Sequence, residues 1–127
     1  MAVECVVVKS AGCVHVLNLS EVDWLGAAGN YVELHVGSRS YLLRRTMKNM
    51  EGLLDPRRFL RIHRATIVNI GRIKELRVRS RGGFDVVLYD GVRLTSSRAY
   101  YRKKLLGLLR EDQGARPFAT SDNQACP

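Results

Sequence analysis

Three short polar segments carry the side chains of this chain best suited to recognising a partner: Asn30-Tyr31, His63-Arg64 and Ser97-Arg98. Arginine can make a bidentate contact to guanine and asparagine to adenine, and either can hold a phosphate. Each segment falls in or beside a loop signal, where a side chain can project beyond a β scaffold. Asn30-Tyr31 follows Gly29, His63-Arg64 leaves a basic strand, and Ser97-Arg98 opens a helix. A helix N-terminus carries partial positive charge, so Arg98 in the first turn is unfavourable for the isolated helix. That placement makes sense where an anion or a guanine edge docks. The plainer alternative is a side chain that extends into solvent or pairs with a distant carboxylate.

Catalysis has little to work with. His15, His35 and His63 lie on different strands, with no serine or cysteine nucleophile and acid in an obvious relay. Carboxylates are scarce in the basic half, which disfavours an acid/base dyad or a divalent-metal site. Arg81-Gly82-Gly83 reads as a turn, and there is no glycine-rich phosphate loop. Cys5, Cys13 and Cys126 are odd in number and widely scattered, which fits free thiols rather than a disulfide framework or a zinc site. No enzyme activity, cofactor or metal is expected.

Charge is distributed unevenly. The net charge of +9 conceals −1 over residues 1–56, +12 over 57–110 and −2 over 111–127. Such concentrated positive charge favours a polyanion, because each neutralised phosphate releases condensed counterions. No apolar run approaches the roughly 18 residues of a membrane-spanning helix. The start, Met1-Ala2-Val3-Glu4-Cys5, lacks a basic n-region and makes a poor signal peptide, so a cytoplasmic location is expected.

The elements that must position these residues are short strands. Val3–Lys9 and Val14–Leu19 read as a pair around Ala11-Gly12, and Ala27-Ala28-Gly29-Asn30 reads as a loop. Tyr31–Val36 and Arg39–Arg44 form a hairpin through Gly37-Ser38. Thr46 is placed to cap a helix in which Met47, Met50 and Leu54 recur at helical spacing, and Asp55-Pro56 ends it. Phe59 to Asn69 alternates apolar residues with Arg61 and His63, as a strand that buries one face and offers a cationic one. Asn69, near Gly71, reads as a turn-former that caps local N–H groups. In Arg72–Arg79, alternation places Ile73, Glu75, Arg77 and Arg79 on one face, with Lys74, Leu76 and Val78 on the other. Asp90-Gly91 signals a type I′ hairpin between Phe84–Tyr89 and Val92–Thr95. Ser96-Ser97 introduces a second helix, with Tyr101 and Leu105 on its apolar side. Trp24, Tyr89 and Tyr100 or Tyr101 are expected in the core. From Glu111 the chain is polar and aperiodic, so residues 1–110 are expected to be one domain and 111–127 a disordered tail.

The ordered set Gly29-Asn30-Tyr31-Val32, Leu43-Arg44-Arg45-Thr46-Met47, Phe59 to Asn69 followed by Ile73, and Asp90 to Tyr100 resembles the LytTR-type (LytR/AgrA) DNA-binding domain. The resemblance covers about residues 14–110. It implies a mainly β fold, an elongated set of small, mostly antiparallel sheets with two short helices. It also implies loops, rather than a recognition helix, entering successive major grooves of bent double-stranded DNA. On this chain the implied contacts are the Asn30-Tyr31 loop, Arg64 and Arg98. Arg45, His63 and Ser97 would flank them and hold phosphates. Family members are bacterial transcription regulators that usually bind paired direct repeats, which leaves self-association on the DNA open. Many carry an N-terminal receiver domain that this chain lacks, so it is either a stand-alone regulator or a piece of a larger one. Ala65 stands where serine is common and Thr95 where proline is common. The competing readings are an RNA- or single-strand-binding β module, which would need an aromatic stacking platform, and a protein-interaction module for an acidic surface.

Overall fold

The computed structural model describes residues 4–79, 83–96 and 107. They fall into two compact units, the first ending at Arg72 and the second beginning at Ile73.

In the first unit, β1 (Cys5–Ser10) and β2 (Cys13–Asn18) pair antiparallel as a hairpin. Its turn residues, Ala11 and Gly12, both take positive φ, +46° and +81°. A five-stranded antiparallel sheet follows, made of β3 (Trp24–Ala28), β4 (Tyr31–Val36), β5 (Arg39–Leu43), β6 (Phe59–His63) and β7 (Thr66–Asn69), in the order β5-β4-β3-β7-β6. The helix α1 (Met47–Leu53) begins where anticipated, with the Thr46 hydroxyl accepting from the Asn49 amide at 3.0 Å. Met47, Met50 and Leu54 are buried in one cluster with Val6, Leu19, Val22, Leu25, Val32, Leu34, Phe59 and Ile67. Helix spacing on α1 and period-two alternation on β3 and β4 thus point at the same core.

In this sheet three findings differ from the sequence reading. Ala27 and Ala28, expected in a loop, end the central strand β3, which is hydrogen-bonded on both sides by β4 and β7. Trp-Leu-Gly-Ala-Ala has weak strand propensity, and tertiary pairing overrides it. The stretch from Phe59 to Asn69 is not one strand but two, turning at Arg64-Ala65. Its alternation also fails, because the register shifts between Arg61 and His63. Arg61 lies opposite Ile67 while His63 lies opposite Thr66, so the two side chains occupy different faces. Arg61 shares the face of core residue Phe59 and is not offered outward.

Asn69 does more than shape its turn. Its buried amide accepts from the Gly71 amide at 3.0 Å and donates to the carbonyls of Ser20 and Val22 at 3.2 and 2.9 Å. Buried Asp23 likewise accepts from the Gly37 amide at 2.9 Å and pairs with Arg72 at 3.2 Å. Trp24 is partly buried and stacks on His35, its cross-strand partner, with ring centroids 3.8 Å apart.

The second unit is a three-stranded antiparallel sheet of β8 (Ile73–Val78), β9 (Phe84–Leu88) and β10 (Arg93–Ser96), with β9 central. Ile73 opposes Leu88, Leu76 opposes Val86, and the register shifts between Ile73 and Glu75. Ile73 therefore shares a face with Leu76, not with Glu75, because the bulge resets the alternation. The β9–β10 hairpin is present, but only Gly91 takes positive φ (+94°), and Asp90 does not. Gly91 donates to Leu88 and Leu88 to Val92, each at 2.9 Å, so a three-residue loop with a left-handed glycine replaces the type I′ turn. Tyr89 sits at that loop and is 70% exposed, not in the core.

The turn expected at Ser80-Arg81-Gly82, the helix expected after Ser96-Ser97 (Gly107 apart) and residues 111–127 with Cys126 lie outside the described residues. Cys5 and Cys13 are exposed free thiols. Among the described residues no helix is long and apolar enough to cross a membrane, and no group of three or more His, Cys, Asp or Glu could hold a metal ion.

Candidate nucleic-acid interface

Register decides which loops meet. Ala28 opposes Tyr31 at the β3–β4 turn, Val32 opposes Leu43 at the exit of β5, and Gly26 and His63 both oppose Thr66. The β3–β4 turn, the β5–α1 link and the β6–β7 turn therefore share one end of the five-stranded sheet. The Ala27 amide donates to the Ala65 carbonyl at 2.9 Å, which ties the end of β3, just before its turn into β4, to the β6–β7 turn. With neighbouring strands about 4.8 Å apart, the row from β5 to β6 spans roughly 19 Å. A B-DNA major groove is about 12 Å wide, so this end can face one groove and a flanking backbone.

The chemistry at this end is uniform. Residues 27–32, 43–49 and 63–66 contain Arg44, Arg45, Lys48 and Arg64 and no aspartate or glutamate. Arg44, Arg45, Lys48 and Arg64 are all exposed. Gly29, at φ +64°, absorbs the turn's left-handed conformation and leaves Asn30 with ordinary backbone angles. Asn30 is therefore not required by the turn itself. Its side chain is exposed and makes no hydrogen bond among the described residues, and Tyr31 beside it is 42% exposed. Asn30, Tyr31, Arg44 and Arg45 line a shallow open cleft with Thr46.

The anticipated residues differ in how committed they are. The Arg64 side chain forms no hydrogen bond or ion pair among the described residues, whereas Arg45 donates to Asn49 Oδ1 at 2.7 Å. His63 Nδ1 accepts from the Ala65 amide at 3.1 Å, which leaves Nε2 to carry the proton of the neutral ring. Arg44 was not singled out from the sequence, yet it is the uncommitted member of the Arg44-Arg45 pair. Two adjacent arginines leaving a strand were the available signal. Ser97 and Arg98 lie outside the described residues. They follow directly on β10, whose last residue, Ser96, accepts from the Phe84 amide through its hydroxyl at 3.1 Å.

Known proteins resemble this chain in sequence and fold. A family model described as the LytTr DNA-binding domain matches residues 12–108. Among curated proteins, a response regulatory protein of Vibrio cholerae is 33% identical over 90 residues, 68% of this chain and 34% of that protein. The transcriptional regulatory protein LytR of Staphylococcus aureus is 28% identical over 98 residues, 76% of this chain and 40% of its own length. The sensory transduction protein LytT of Bacillus subtilis is 27% identical over 93 residues, 72% of this chain and 39% of its own. The chain thus spans between 34% and 40% of the length of these relatives. Among solved structures, the LytTr DNA-binding domain of a methyl-accepting/DNA response regulator from Bacillus cereus superposes with a TM-score of 0.75 at 22% identity. That likeness covers 84% of this chain and 97% of the other, and it shows the fold. By the match over residues 12–108, the chain belongs to the LytTr DNA-binding domain family.

Proposed function

We propose that this chain binds double-stranded DNA sequence-specifically, as the DNA-binding part of a bacterial transcriptional regulator acting in the cytoplasm. The observation that carries the reading is the convergence of Asn30-Tyr31 and His63-Arg64 on one end of the sheet, whose loops (residues 27–32, 43–49 and 63–66) carry no aspartate or glutamate. Arg64 and Asn30 are the base-reading side chains, since both are exposed and uncommitted and both have bidentate partners among the bases. Arg44, Arg45 and Lys48 hold phosphates, and His63 donates from Nε2 to the backbone. Tyr31 packs against sugar or phosphate. Ser97 and Arg98, entering the reading by family resemblance, supply a second contact that would engage a separate groove. The active segment is residues 1–110, with 111–127 dispensable for DNA binding. Paired direct repeats are the matching operator.

A single-strand or RNA module is less well supported, because stacking platforms need several aromatic faces and the loops at this end (residues 27–32, 43–49 and 63–66) hold no Phe or Trp and a single Tyr, Tyr31, beside His63. Selection of bound duplexes from a random DNA pool tests the reading. A short enriched motif, repeated at fixed spacing, is the expected outcome; recovery of unenriched duplexes would reduce the chain to a general polyanion binder.

A further inference from the structure

Resting on the DNA-reading role proposed for Arg64, we infer that Glu51 and Arg61 are positioning residues that brace the Arg64 turn from the helix. Arg61 Nη1 pairs with Glu51 Oε1 on α1 at 3.2 Å, and Nη2 donates to the backbone carbonyl of Arg64. The guanidinium fork therefore bridges the helix and the turn in one plane, which a single ammonium could not do. Its Nε is buried without a hydrogen-bond partner among the described residues, so its orientation is set by the other two nitrogens. Both backbone polar groups of Ala65, the other residue of the turn, are held too. The Ala65 amide donates to His63, and the Ala65 carbonyl accepts from Ala27. With its backbone fixed on both sides, Arg64 retains freedom mainly in its side-chain torsions. A loop already in its bound geometry loses less entropy on binding, which corresponds to roughly two- to tenfold in affinity.

The role of Glu51 has a diagnostic sign. Removing a carboxylate near a polyanion's binding surface should by charge alone tighten binding. Removing a brace should weaken it. Neither Glu51 nor Arg61 belongs to the exposed contact set, and because the Glu51 side chain is 47% exposed, against 22% for Arg61, solvent screens their ion pair and its contribution to global stability is small.

The test uses the duplex most enriched by the wild-type chain from a random pool, with E51A, E51Q, R61K, R64A and the double variant E51A/R64A. E51A and R61K are expected to weaken binding about two- to tenfold with unchanged melting temperature. E51Q should retain most of the affinity, because its amide oxygen still accepts from Arg61. In the R64A background, E51A should cause no further loss. Without DNA, amide hydrogen exchange at Ala65 should quicken in E51A. Tighter binding by E51A, or unchanged exchange at Ala65, would overturn the brace. Faster exchange at Ala65 with R64A binding like wild type would instead overturn the DNA role of Arg64 and leave the brace a purely structural one.

Discussion

The Ala27 amide at the end of β3 and the Ala65 carbonyl of the β6–β7 turn, 2.9 Å apart, join the two neighbouring turns into one surface. Neither side chain takes part, yet this bond and the Gly26–Thr66 register beside it set the spacing between Asn30 and Arg64. Two polar dipeptides separated by more than thirty residues become neighbours at a sheet end because β7 inserts between β3 and β6.

Arg64→Ala should weaken binding to a selected duplex by about 1–3 kcal/mol while leaving the melting temperature unchanged. Arg64 is exposed and has no partner to lose among the described residues. Titration by fluorescence anisotropy together with thermal melting checks both halves. A fall in melting temperature with affinity intact would contradict the assignment.

Arg44→Ala should act differently. As a phosphate contact, it should weaken all duplexes alike and reduce the slope of log affinity against log salt by about 1. Wild-type affinity itself should fall steeply with salt. A flat salt response would point to a protein partner instead.

Asn69→Ala should cost about 2–3 kcal/mol of stability, because it removes a buried amide from the Ser20 and Val22 carbonyls and the Gly71 amide. Denaturant unfolding measures this. Motif preference per folded molecule should be unchanged, since Asn69 lies at the opposite end of β7 from Thr66.

Ala11→Gly should stabilise the chain by about 0.5 kcal/mol. Relief of the left-handed strain of an L-residue exceeds the added entropy of the unfolded glycine. Ala11 is the non-glycine residue with positive φ among the described residues, at +46°. A lower denaturation midpoint for the glycine variant would refute the estimate.

Much of the scaffold was legible in the sequence because alternation and capping are local. Tyr31–Val36 alternates cleanly and forms β4, and Thr46 caps α1 as its hydroxyl chemistry demands. The breaks came where a long-range effect intervenes. β3 was hidden because its Gly26, Ala27 and Ala28 end takes strand form only through tertiary pairing, Gly26 with both β4 and β7 and the two alanines with β4. Gly26 also makes room for the Trp24 ring, which a Cβ would meet at 2.9 Å. Bulges beside Ile62 and Lys74 moved His63 and Ile73 to other faces, and one inserted residue leaves no trace in composition. At the candidate site, residue types were readable but commitments were not. Arg61 and Arg64 look equivalent in sequence, yet one is tied to Glu51 and the other is free among the described residues.

The most direct test compares the ratio of affinities for a selected duplex and for a scrambled duplex in wild type, Arg64→Ala and Asn30→Ala. If this sheet end reads bases, each variant should lose affinity for the selected duplex and keep its weaker affinity for the scrambled one, so the ratio collapses toward one. Equal losses on both duplexes, with the ratio preserved, would contradict base reading at this end of the sheet.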